Sequence, residues 1–319
     1  MRMKPLLSVF TITYNHAPFI RQCIEGVLMQ KTDFPFEFVI GEDCSTDGTR
    51  EIVLDYAKKN PEIIRVITSE SNVGMSENAK RTGRACQGKF VALCDGDDYW
   101  TDPYKLQKQV DFLESHPDYS MCCHASKIIF EDSEQQAEIV RLADTDTTFT
   151  IDDFLAPTGK NFIRTESVVC NVELVREVPE EFQNMIVGDY PMFLLMAYHG
   201  NIRYLDQVMS VYRKHGGGIW SSKTTNAEFQ EKYCLSIVQM HKRFDEYSGY
   251  VYHDKIQKRL AYSYYALIEN SFNYNKAQSR KFFWKYWNKL PGHFLIRSFS
   301  RLYLKPSLHW VRVHISGRG

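Results

Sequence analysis

The segment Phe90–Trp100, FVALCDGDDYW, passes from an apolar stretch directly into a turn with three carboxylates. Phe90–Cys94 is continuously apolar, which predicts a buried strand of a parallel sheet. Carboxylates as close together as those of Asp95, Asp97 and Asp98 repel one another and raise their own pKa values unless a cation is present. Since Mg²⁺ binds one or two carboxylates together with substrate phosphates, the turn suits a metal–diphosphate site. A solvated Asp-Gly turn is the alternative.

Two strands that precede this segment also end in polar residues. The strand Leu6–Asn15 ends in Tyr14-Asn15, and Phe36–Gly41 runs into Glu42-Asp43. Other segments alternate with them: helices Phe19–Gln30, Thr49–Lys59, Ser76–Gln87 and Tyr104–Ser115, and strands Arg65–Ser69 and Tyr119–His124. Such alternation over about 125 residues predicts an α/β fold with a Rossmann-like, mostly parallel sheet flanked by helices. Ligands of such sheets bind beyond the carboxyl ends of the strands, where these polar residues lie.

The pattern changes in the second half of the chain. Glu131–Asp146 is polar and is predicted to be a loop or ribbon. The later segments are predicted as strands at Thr165–Asn171, Ile202–Asp206 and Val208–Arg213, and as helices at Asp189–His199, Asn226–Tyr247 and His253–Asn270. We therefore predict an α/β domain over residues 1–222 and a helical region over residues 223–319.

The charge of the chain is balanced overall but uneven along its length. Its 319 residues contain 39 Lys and Arg against 39 Asp and Glu, with 44% hydrophobic residues. This composition excludes a mostly disordered chain and argues against a dedicated nucleic-acid binder. From Asn270 to Gly319, however, there are ten Lys or Arg and no Asp or Glu, which leaves 29 basic against 39 acidic residues elsewhere.

The basic tail, about residues 276–319, is also amphipathic. Lys281, Lys285 and Lys289 lie on one side of a predicted helix, opposite Phe282, Phe283, Tyr286, Trp287 and Leu290. A second stretch places Leu295, Phe299, Leu302 and Tyr303 opposite Arg297, Arg301 and Lys305. Basic faces opposed to aromatic faces are typical of helices that lie on anionic membranes. A helical annex packed on the first domain and a dimer interface are the alternatives.

The cysteines and the N-terminus bear on the cell compartment. None of the eight cysteines forms a CxxC pair, so reduced thiols in a cytoplasmic protein are expected. The apolar start Leu6–Tyr14 is too short and polar for a signal peptide, and no apolar run reaches the length of a membrane span. We therefore expect a cytoplasmic protein at the inner face of the cell membrane.

Taken together, the motifs resemble the family 2 glycosyltransferases of the GT-A fold. The matching motifs, in order, are Tyr14-Asn15, EDCSTDGT at Glu42–Thr49, Asn72-Val73-Gly74, Gly88-Lys89-Phe90 and DGDDYW at Asp95–Trp100. VGDYP at Val187–Pro191 and YRKHGGGIWS at Tyr212–Ser221 resemble bacterial members that build cell-surface polysaccharide, such as lipopolysaccharide or capsule. The similarity covers about Leu6–Ser222 and implies a GT-A domain with a C-terminal helical extension.

The resemblance also implies roles for single residues. Thr13, Tyr14 and Asp43 would bind the nucleotide, Asp43 by accepting a hydrogen bond from the base. Asp95 and Asp97 would form the D-x-D motif that binds Mg²⁺ or Mn²⁺, and His215 could reach the metal or the diphosphate. Lys80 or Arg81 could approach the nucleotide or lie on a solvated surface, and Arg81 is kept as a candidate. Asp98 is expected to cap or support, Asp47 to cap the following helix, and His16, His116 and His124 to have core or surface roles.

Asp189 matches the position of the family's catalytic base, and an N-cap role is compatible with it. The implied enzyme is an inverting, metal-dependent transferase of the hexosyltransferase class. It would move a sugar from a nucleotide-diphosphate donor, which the resemblance implies to be a UDP-sugar, to a hydroxyl of a glycan or polyprenyl-linked glycan. Two other classes stay open: a non-catalytic protein that binds sugar nucleotides or membranes, and a sugar-nucleotide pyrophosphorylase. A homo-oligomer is also open.

Overall fold

A computed structural model of the chain describes residues 4–157, 163–176, 178–183, 185–217 and 227–304. The chain divides into two compact units. Unit 1 contains Met1–Phe154, Asn161–Asn184 and Asp189–Gly218, and unit 2 contains Leu155–Lys160, Met185–Gly188 and Ile219–Gly319.

Unit 1 is built on one mixed sheet, as the alternating pattern predicts. Its strands are β1 (Leu7–Thr13), β2 (Phe36–Glu42), β3 (Ile64–Ile67), β4 (Phe90–Leu93), β5 (Tyr99–Trp100), β6 (Tyr119–Phe130), β7 (Glu138–Val140), β8 (Thr147–Phe149), β9 (Val169–Asn171) and β10 (Asn201–Lys214). The order across the sheet is β3-β2-β1-β4-β9-β6-β10-β5, with β7 paired to β6 and β8 to β10. The first four strands are parallel, so the ends of β1, β2 and β4 share one edge.

Helices connect these strands and form most of unit 2. In chain order they are α1 (Ile20–Leu28), α2 (Thr49–Lys59), α3 (Met75–Ala85), α4 (Lys105–Ser115), α5 (Ile151–Leu155), α6 (Glu173–Arg176), α7 (Tyr190–His199), α8 (Ala227–Tyr247), α9 (His253–Phe272), α10 (Lys276–Tyr286) and α11 (Gly292–Tyr303). Short 3₁₀ turns lie at Thr165–Ser167, Glu180–Phe182 and Trp287–Lys289. In the part of the chain that the structure describes, none of these helices has the length and apolarity to cross a membrane.

The core of unit 1 follows from the apolar periodicity. Ile20, Cys23, Ile24 and Val27 recur at helical spacing on α1 and are fully buried. They pack in one cluster with apolar residues of β1, β2 and β4. Burial of both faces explains why these strands read as continuous apolar runs. This packed core fixes the positions of the strand ends at which the polar turns begin.

Two segments differ from the pattern-based expectation. The strands predicted at Ile202–Asp206 and Val208–Arg213 are one strand, β10, because register shifts between Leu205 and Ser210 absorb the irregularity. Of the strand predicted at Thr165–Asn171, only β9 pairs, and its first residues form a 3₁₀ turn. That turn brings the side chains of Thr165 and Glu166 to the edge where the strand ends meet.

Candidate active site

The turn after β4 is held tightly against β1. The Gly96 amide donates to the Ile12 carbonyl at 3.0 Å, and the Asp98 amide donates to the Asp95 carbonyl at 3.0 Å. A Cβ atom on Gly96 would lie 2.7 Å from Thr13 Oγ1, so only glycine fits this position. Thr13, predicted as a nucleotide ligand, therefore packs against the backbone of the acidic turn.

Two histidines face Asp97. His215 Nε2 lies 3.0 Å from Asp97 Oδ2, and His16 Nε2 lies 3.8 Å from the same oxygen. Burial favours the protonated form of Asp97, but the hydrogen bond from His215 and the charge of His16 outweigh it and lower the Asp97 pKa. The same hydrogen bond raises the pKa of His215. The structure thus places His215 on the D-x-D motif, and His16 stands beside it instead of in the expected core or surface role.

The other carboxylates of this turn lack such partners. We call Asp95, Asp97, Asp98 and Glu166 the β4 cluster. Burial, followed by the charges of neighbouring carboxylates, raises the pKa of Asp95 and of Asp98 well above the ordinary value. Asp98 accepts a hydrogen bond from the Arg213 amide at 2.8 Å, which gives it the predicted supporting role.

Glu166 lies behind the turn and is fully buried. The Ser210 hydroxyl donates to Oε1 at 3.2 Å, whereas Oε2 has no hydrogen-bond partner among the described residues. Burial raises the pKa of Glu166, and neighbouring serine hydroxyls only partly oppose this. The β4 cluster therefore carries more negative charge than its surroundings compensate.

Asp189 lies at the N-terminus of α7, close enough to Asp95 to raise the Asp95 pKa. It occupies the N-cap position, but its side chain makes no capping hydrogen bond. Instead, Thr165 Oγ1 donates to Asp189 Oδ2 at 2.6 Å. Asp189 is exposed at the surface, yet the protein packed around its carboxyl partly desolvates it and raises the Asp189 pKa, against the effect of the Thr165 hydrogen bond. A carboxylate with a raised pKa is suited to accept a proton.

The turn after β2 is different, because its charges are compensated. We call Glu42, Asp43, Arg50 and Arg81 the β2 cluster. Fully buried Glu42 forms an ion pair with Arg50 Nε and accepts from the Ser45 amide at 2.6 Å. The amides of Val73 and Gly74 each donate to the Asp43 carboxylate at 2.9 Å.

Arg81 completes this cluster from α3. It donates to the Glu42 carbonyl at 2.8 Å and lies 3.6 Å from Asp43 Oδ1. Asp43 thus anchors the Val73-Gly74 segment, and its base-binding role stays a prediction. Tyr14, at the end of β1, is 43% exposed and accessible to a ligand. Asp47 accepts from the Thr49 amide at 3.0 Å in the turn that leads into α2, whereas Gly48 holds the N-cap position.

The donor set is compatible with a divalent metal that the substrate completes. Among the residues that the structure describes, no three His, Cys, Asp or Glu side chains are arranged to hold a metal by themselves. Mg²⁺ needs few protein ligands when a diphosphate supplies the others. Asp97, with His215 beside it, fits that arrangement, and the uncompensated charge of the β4 cluster favours a cation. Direct ligation by Asp95 stays a prediction.

Three residues near the site were not recognised from the sequence as functional. His16 follows Thr13 by three residues, and its approach to Asp97 requires β1 and β4 to be neighbours. Thr165 and Glu166 lie in a segment whose apolar continuation suggests a strand. Of the motif Tyr212–Ser221, residues 218–221 lie outside the described part of the chain.

Comparisons with known proteins agree with this geometry. The family model for Glycosyl transferase family 2 matches residues 8–169. The uncharacterized protein Rv1520 of Mycobacterium tuberculosis is 38% identical over 221 residues, which cover 69% of this chain and 62% of that protein. The aligned part of the chain thus spans less than two thirds of the length of these curated relatives.

Two solved structures share the fold. TarS of S. aureus, residues 1–349 in complex with UDP-GlcNAc, superposes with a TM-score of 0.58 at 19% identity, covering 96% of this chain and 87% of that one. A mannosyltransferase from Pyrobaculum calidifontis, in complex with GDP-Man and Mn²⁺, superposes with a TM-score of 0.53 at 15% identity, covering 99% and 88%.

Proposed function

The chain belongs to glycosyl transferase family 2, and from this premise we propose that it is an inverting, metal-dependent glycosyltransferase. It transfers a sugar from a nucleotide-diphosphate donor to an acceptor hydroxyl. The observation that carries the proposal is the convergence of Asp97, His215 and Asp189 around one acidic turn in which Asp95 and Asp98 have strongly raised pKa values. A binding protein without catalysis has no need for a carboxylate of raised pKa beside the D-x-D motif.

In this reaction Asp189 acts as the general base. Its carboxylate takes the proton of the acceptor hydroxyl while the oxygen attacks C1 of the sugar from the face opposite the diphosphate. The bond between C1 and the diphosphate oxygen breaks, and its electron pair leaves with the nucleotide. The Thr165 hydroxyl holds the Asp189 carboxylate in place during the transfer. A metal held by Asp97 and His215 would supply neutralisation of the leaving diphosphate.

For the donor we propose a UDP-sugar. Tyr14 would pack against the nucleotide base. The β2 cluster would fix the edge of the sheet at which the base lies, and Thr13, Asp43 and Arg81 would be the residues nearest to the base. TarS in complex with UDP-GlcNAc supports a uridine donor, whereas the GDP-Man complex indicates that the fold also accepts a purine. The identity of the nucleotide is therefore the first property to test.

For the acceptor we propose a glycan or polyprenyl-linked glycan of a bacterial cell-surface polysaccharide. The basis is the likeness of Val187–Pro191 and Tyr212–Ser221 to bacterial enzymes of that kind. Such acceptors lie at the inner face of the cell membrane, and we propose that the enzyme works there as a peripheral protein. The basic tail would hold it in place.

A thermal-shift panel tests the proposed donor site. UDP, GDP, dTDP and CMP are each added with Mn²⁺ or with EDTA. A ligand at about 100 times its Kd stabilises the folded state by about 2.7 kcal/mol, which raises the Tm by several degrees. We expect such a shift with UDP and Mn²⁺ but not with EDTA. Absence of any shift in well-folded protein would contradict the donor site and favour a non-catalytic protein.

A further inference from the structure

Helix α11 has apolar residues on both of its faces. Phe294 and Leu302 are buried, whereas Ile296, Phe299 and Tyr303 are 62%, 42% and 38% exposed. The three exposed side chains follow one another at intervals of three and four residues, so they form one stripe along the helix. The sequence predicted Leu302 on the same face as Phe299 and Tyr303, and the three differ in burial, because Leu302 is 6% exposed whereas Phe299 and Tyr303 are partly exposed.

The stripe continues onto α10. Trp284 is 56% exposed, and its indole Nε1–H donates to the Tyr303 hydroxyl at 2.7 Å. The rings of Phe299 and Tyr303 lie 5.1 Å apart, and those of Trp284 and Tyr303 lie 6.2 Å apart. We call Trp284, Ile296, Phe299 and Tyr303 the aromatic surface. Exposed apolar side chains that adjoin in this way form a contiguous patch, unlike scattered surface residues, and mark an interaction site.

The interior of unit 2 adjoins the aromatic surface. Phe282 and Phe283 are buried, and the Phe283 ring lies 6.1 Å from the rings of both Phe299 and Tyr303. Trp287, predicted to share the apolar face of Phe282 and Phe283, is instead 49% exposed. The aromatic surface is therefore the outer margin of a packed apolar face, and its side chains keep between 38% and 62% of their surface exposed.

Basic side chains lie around the aromatic surface. Lys281 and Lys285 are exposed on α10 on either side of Trp284, and Arg297 is exposed on α11. The guanidinium of Arg280 lies 5.1 Å from the centre of the Tyr303 ring. No Asp or Glu occurs from Asn270 to the last residue, so α10 and α11 themselves carry basic side chains and no acidic ones.

Arg301 shows by contrast what a structural cation on this helix does. It forms an ion pair with Glu269 and donates to Asn273 Oδ1 at 3.1 Å. Both partners belong to α9 or the turn after it. Arg301 therefore fastens α11 to unit 2. Lys281, Lys285 and Arg297 are exposed instead, with the Arg297 guanidinium 5.9 Å from the centre of the Tyr265 ring.

We propose that the aromatic surface inserts into the interface of an anionic lipid bilayer, with Lys281, Lys285 and Arg297 against the headgroup phosphates. Trp and Tyr favour this depth because each has an apolar ring and a polar tip. Apolar burial and attraction to anionic lipids act together in such surfaces. Charge complementarity selects a bilayer as the occupant. This inference deepens the membrane association proposed above and does not depend on sugar transfer. Residues 305–319, which include Lys305 of the predicted face, lie outside the described part of the chain.

Co-sedimentation of the full chain with vesicles tests the proposal. Vesicles of phosphatidylcholine alone are compared with vesicles that also contain phosphatidylglycerol, without nucleotide or metal. We expect binding to the anionic vesicles only, weakened by salt. The double variant Ile296→Ser/Phe299→Ser should lower the partition coefficient at least about tenfold. The control Ile139→Ser/Val251→Ser alters side chains that are 54% and 74% exposed elsewhere and should bind normally.

The outcomes separate the possible occupants. Equal binding of the stripe variant and the control, with both folded by circular dichroism, would overturn the proposal. So would a stripe variant that binds vesicles normally but loses a dimer in sedimentation velocity, since the surface would then join two copies. Either outcome would leave the nucleotide thermal-shift result unchanged. Conversely, the absence of a thermal shift with every nucleotide would leave the result for vesicle binding unchanged.

Quenching of tryptophan fluorescence by brominated lipids gives a second measurement of insertion, which does not depend on the affinity for vesicles. Trp284→Phe keeps an aromatic ring and should preserve binding to anionic vesicles, but it should lower the fraction of tryptophan fluorescence that brominated chains quench. An unchanged quenched fraction would show that Trp284 does not enter the bilayer and would contradict the assigned surface.

Discussion

The turns after β2 and β4 look alike in sequence, yet they differ in how their charges are compensated. Each has a fully buried glutamate, Glu42 in the β2 cluster and Glu166 in the β4 cluster. Glu42 is paired with Arg50 and with a backbone amide. Glu166 forms no ion pair in the described chain, where the charge of Arg164 and neighbouring hydroxyls only partly oppose the effect of burial, and one carboxyl oxygen has no hydrogen-bond partner there.

Under the proposed function, this difference separates a scaffold, the β2 cluster, from a reaction centre, the β4 cluster. Compensated charges in the β2 cluster fix a loop and need no ligand. Crowded carboxylates in the β4 cluster are costly in the free protein, and a bound cation or a transferred proton relieves that cost. Strongly perturbed pKa values cluster at functional sites for this reason. An acidic turn alone therefore says little, whereas an acidic turn in which Asp95 and Asp98 keep strongly raised pKa values points to chemistry.

The largest expected effect is on the reaction itself. Asp189→Asn removes the base and keeps nearly the same shape, so turnover should fall by ~10²–10⁴-fold while the Kd of the donor stays nearly constant. Steady-state kinetics and nucleotide titration measure the two quantities. Near-normal turnover would remove Asp189 from the role of base and weaken the contrast between the two turns.

The next prediction compares how far nucleotide binding at each of the two turns depends on the proposed metal. Asp97→Ala should abolish the part of nucleotide binding that depends on Mn²⁺, because the strongest protein ligand is lost. Asp43→Asn, the matched change in the β2 cluster, should lower affinity equally with Mn²⁺ and with EDTA. Calorimetric titration measures both. Intact Mn²⁺-dependent affinity in the Asp97 variant would exclude that carboxylate from the metal site.

Thr165 is expected to act through Asp189. Thr165→Val removes the hydroxyl that stabilises the Asp189 carboxylate, so the Asp189 pKa rises further. Asp189 is then protonated at a higher pH, so the acid limb of the pH profile of kcat should move to higher pH. Turnover below that limb should fall by about tenfold, the size of one hydrogen bond to a charged group. Thr165→Ser keeps the donor and should restore the profile, whereas identical profiles for Val and Ser would contradict the role.

The two buried glutamates provide a comparison of stability. Glu42→Gln leaves Arg50 without its charge and places an amide N–H against Nε–H, so the variant should lose about 1.5–3 kcal/mol of unfolding free energy. Urea denaturation at neutral pH measures the loss. A variant as stable as the parent would show that the β2 cluster is not held by this pair.

Glu166→Gln should have the smallest effect and the opposite sign. The pKa of Glu166 is raised in the folded state from an ordinary value of 4.5, so the parent loses stability as the pH rises above that value. Glutamine does not ionise, so the variant should be the more stable above neutrality, by on the order of 1 kcal/mol. The gain should vanish at acid pH. Destabilisation at every pH would indicate that the carboxylate is compensated after all.

The strand ends could be predicted from sequence because buried parallel strands read as apolar runs that stop at polar turns. Asp43 and Asp97 were placed on one edge in this way, and the structure agrees. His16 was missed because its approach to Asp97 depends on β1 and β4 lying side by side. Glu166 was missed because Val168–Cys170 continues its segment as an apolar run, which hides a 3₁₀ turn.

The faces of α11 show a different limit. Periodicity finds that a helix is amphipathic, but it does not decide which of two apolar faces is buried when both exist. Leu302 packs inward and Phe299 outward because of the neighbouring helices, which a single segment does not encode. The role of Arg50 could likewise not be predicted from the sequence, because its ion pair with Glu42 depends on how α2 starts.

The order of strands in the sheet also has a consequence for synthesis. His215, on the residue after β10, lies 118 positions beyond Asp97, so ribosomes that add about 5–20 residues per second deliver it roughly 6 to 24 s later. The four parallel strands can meet during that interval, but the nascent sheet then has its acidic turn without Asp189 or His215. Under the proposed function, competence to bind the metal and competence to transfer the sugar would thus arrive together, late in translation, and a partly synthesised chain would not consume donor.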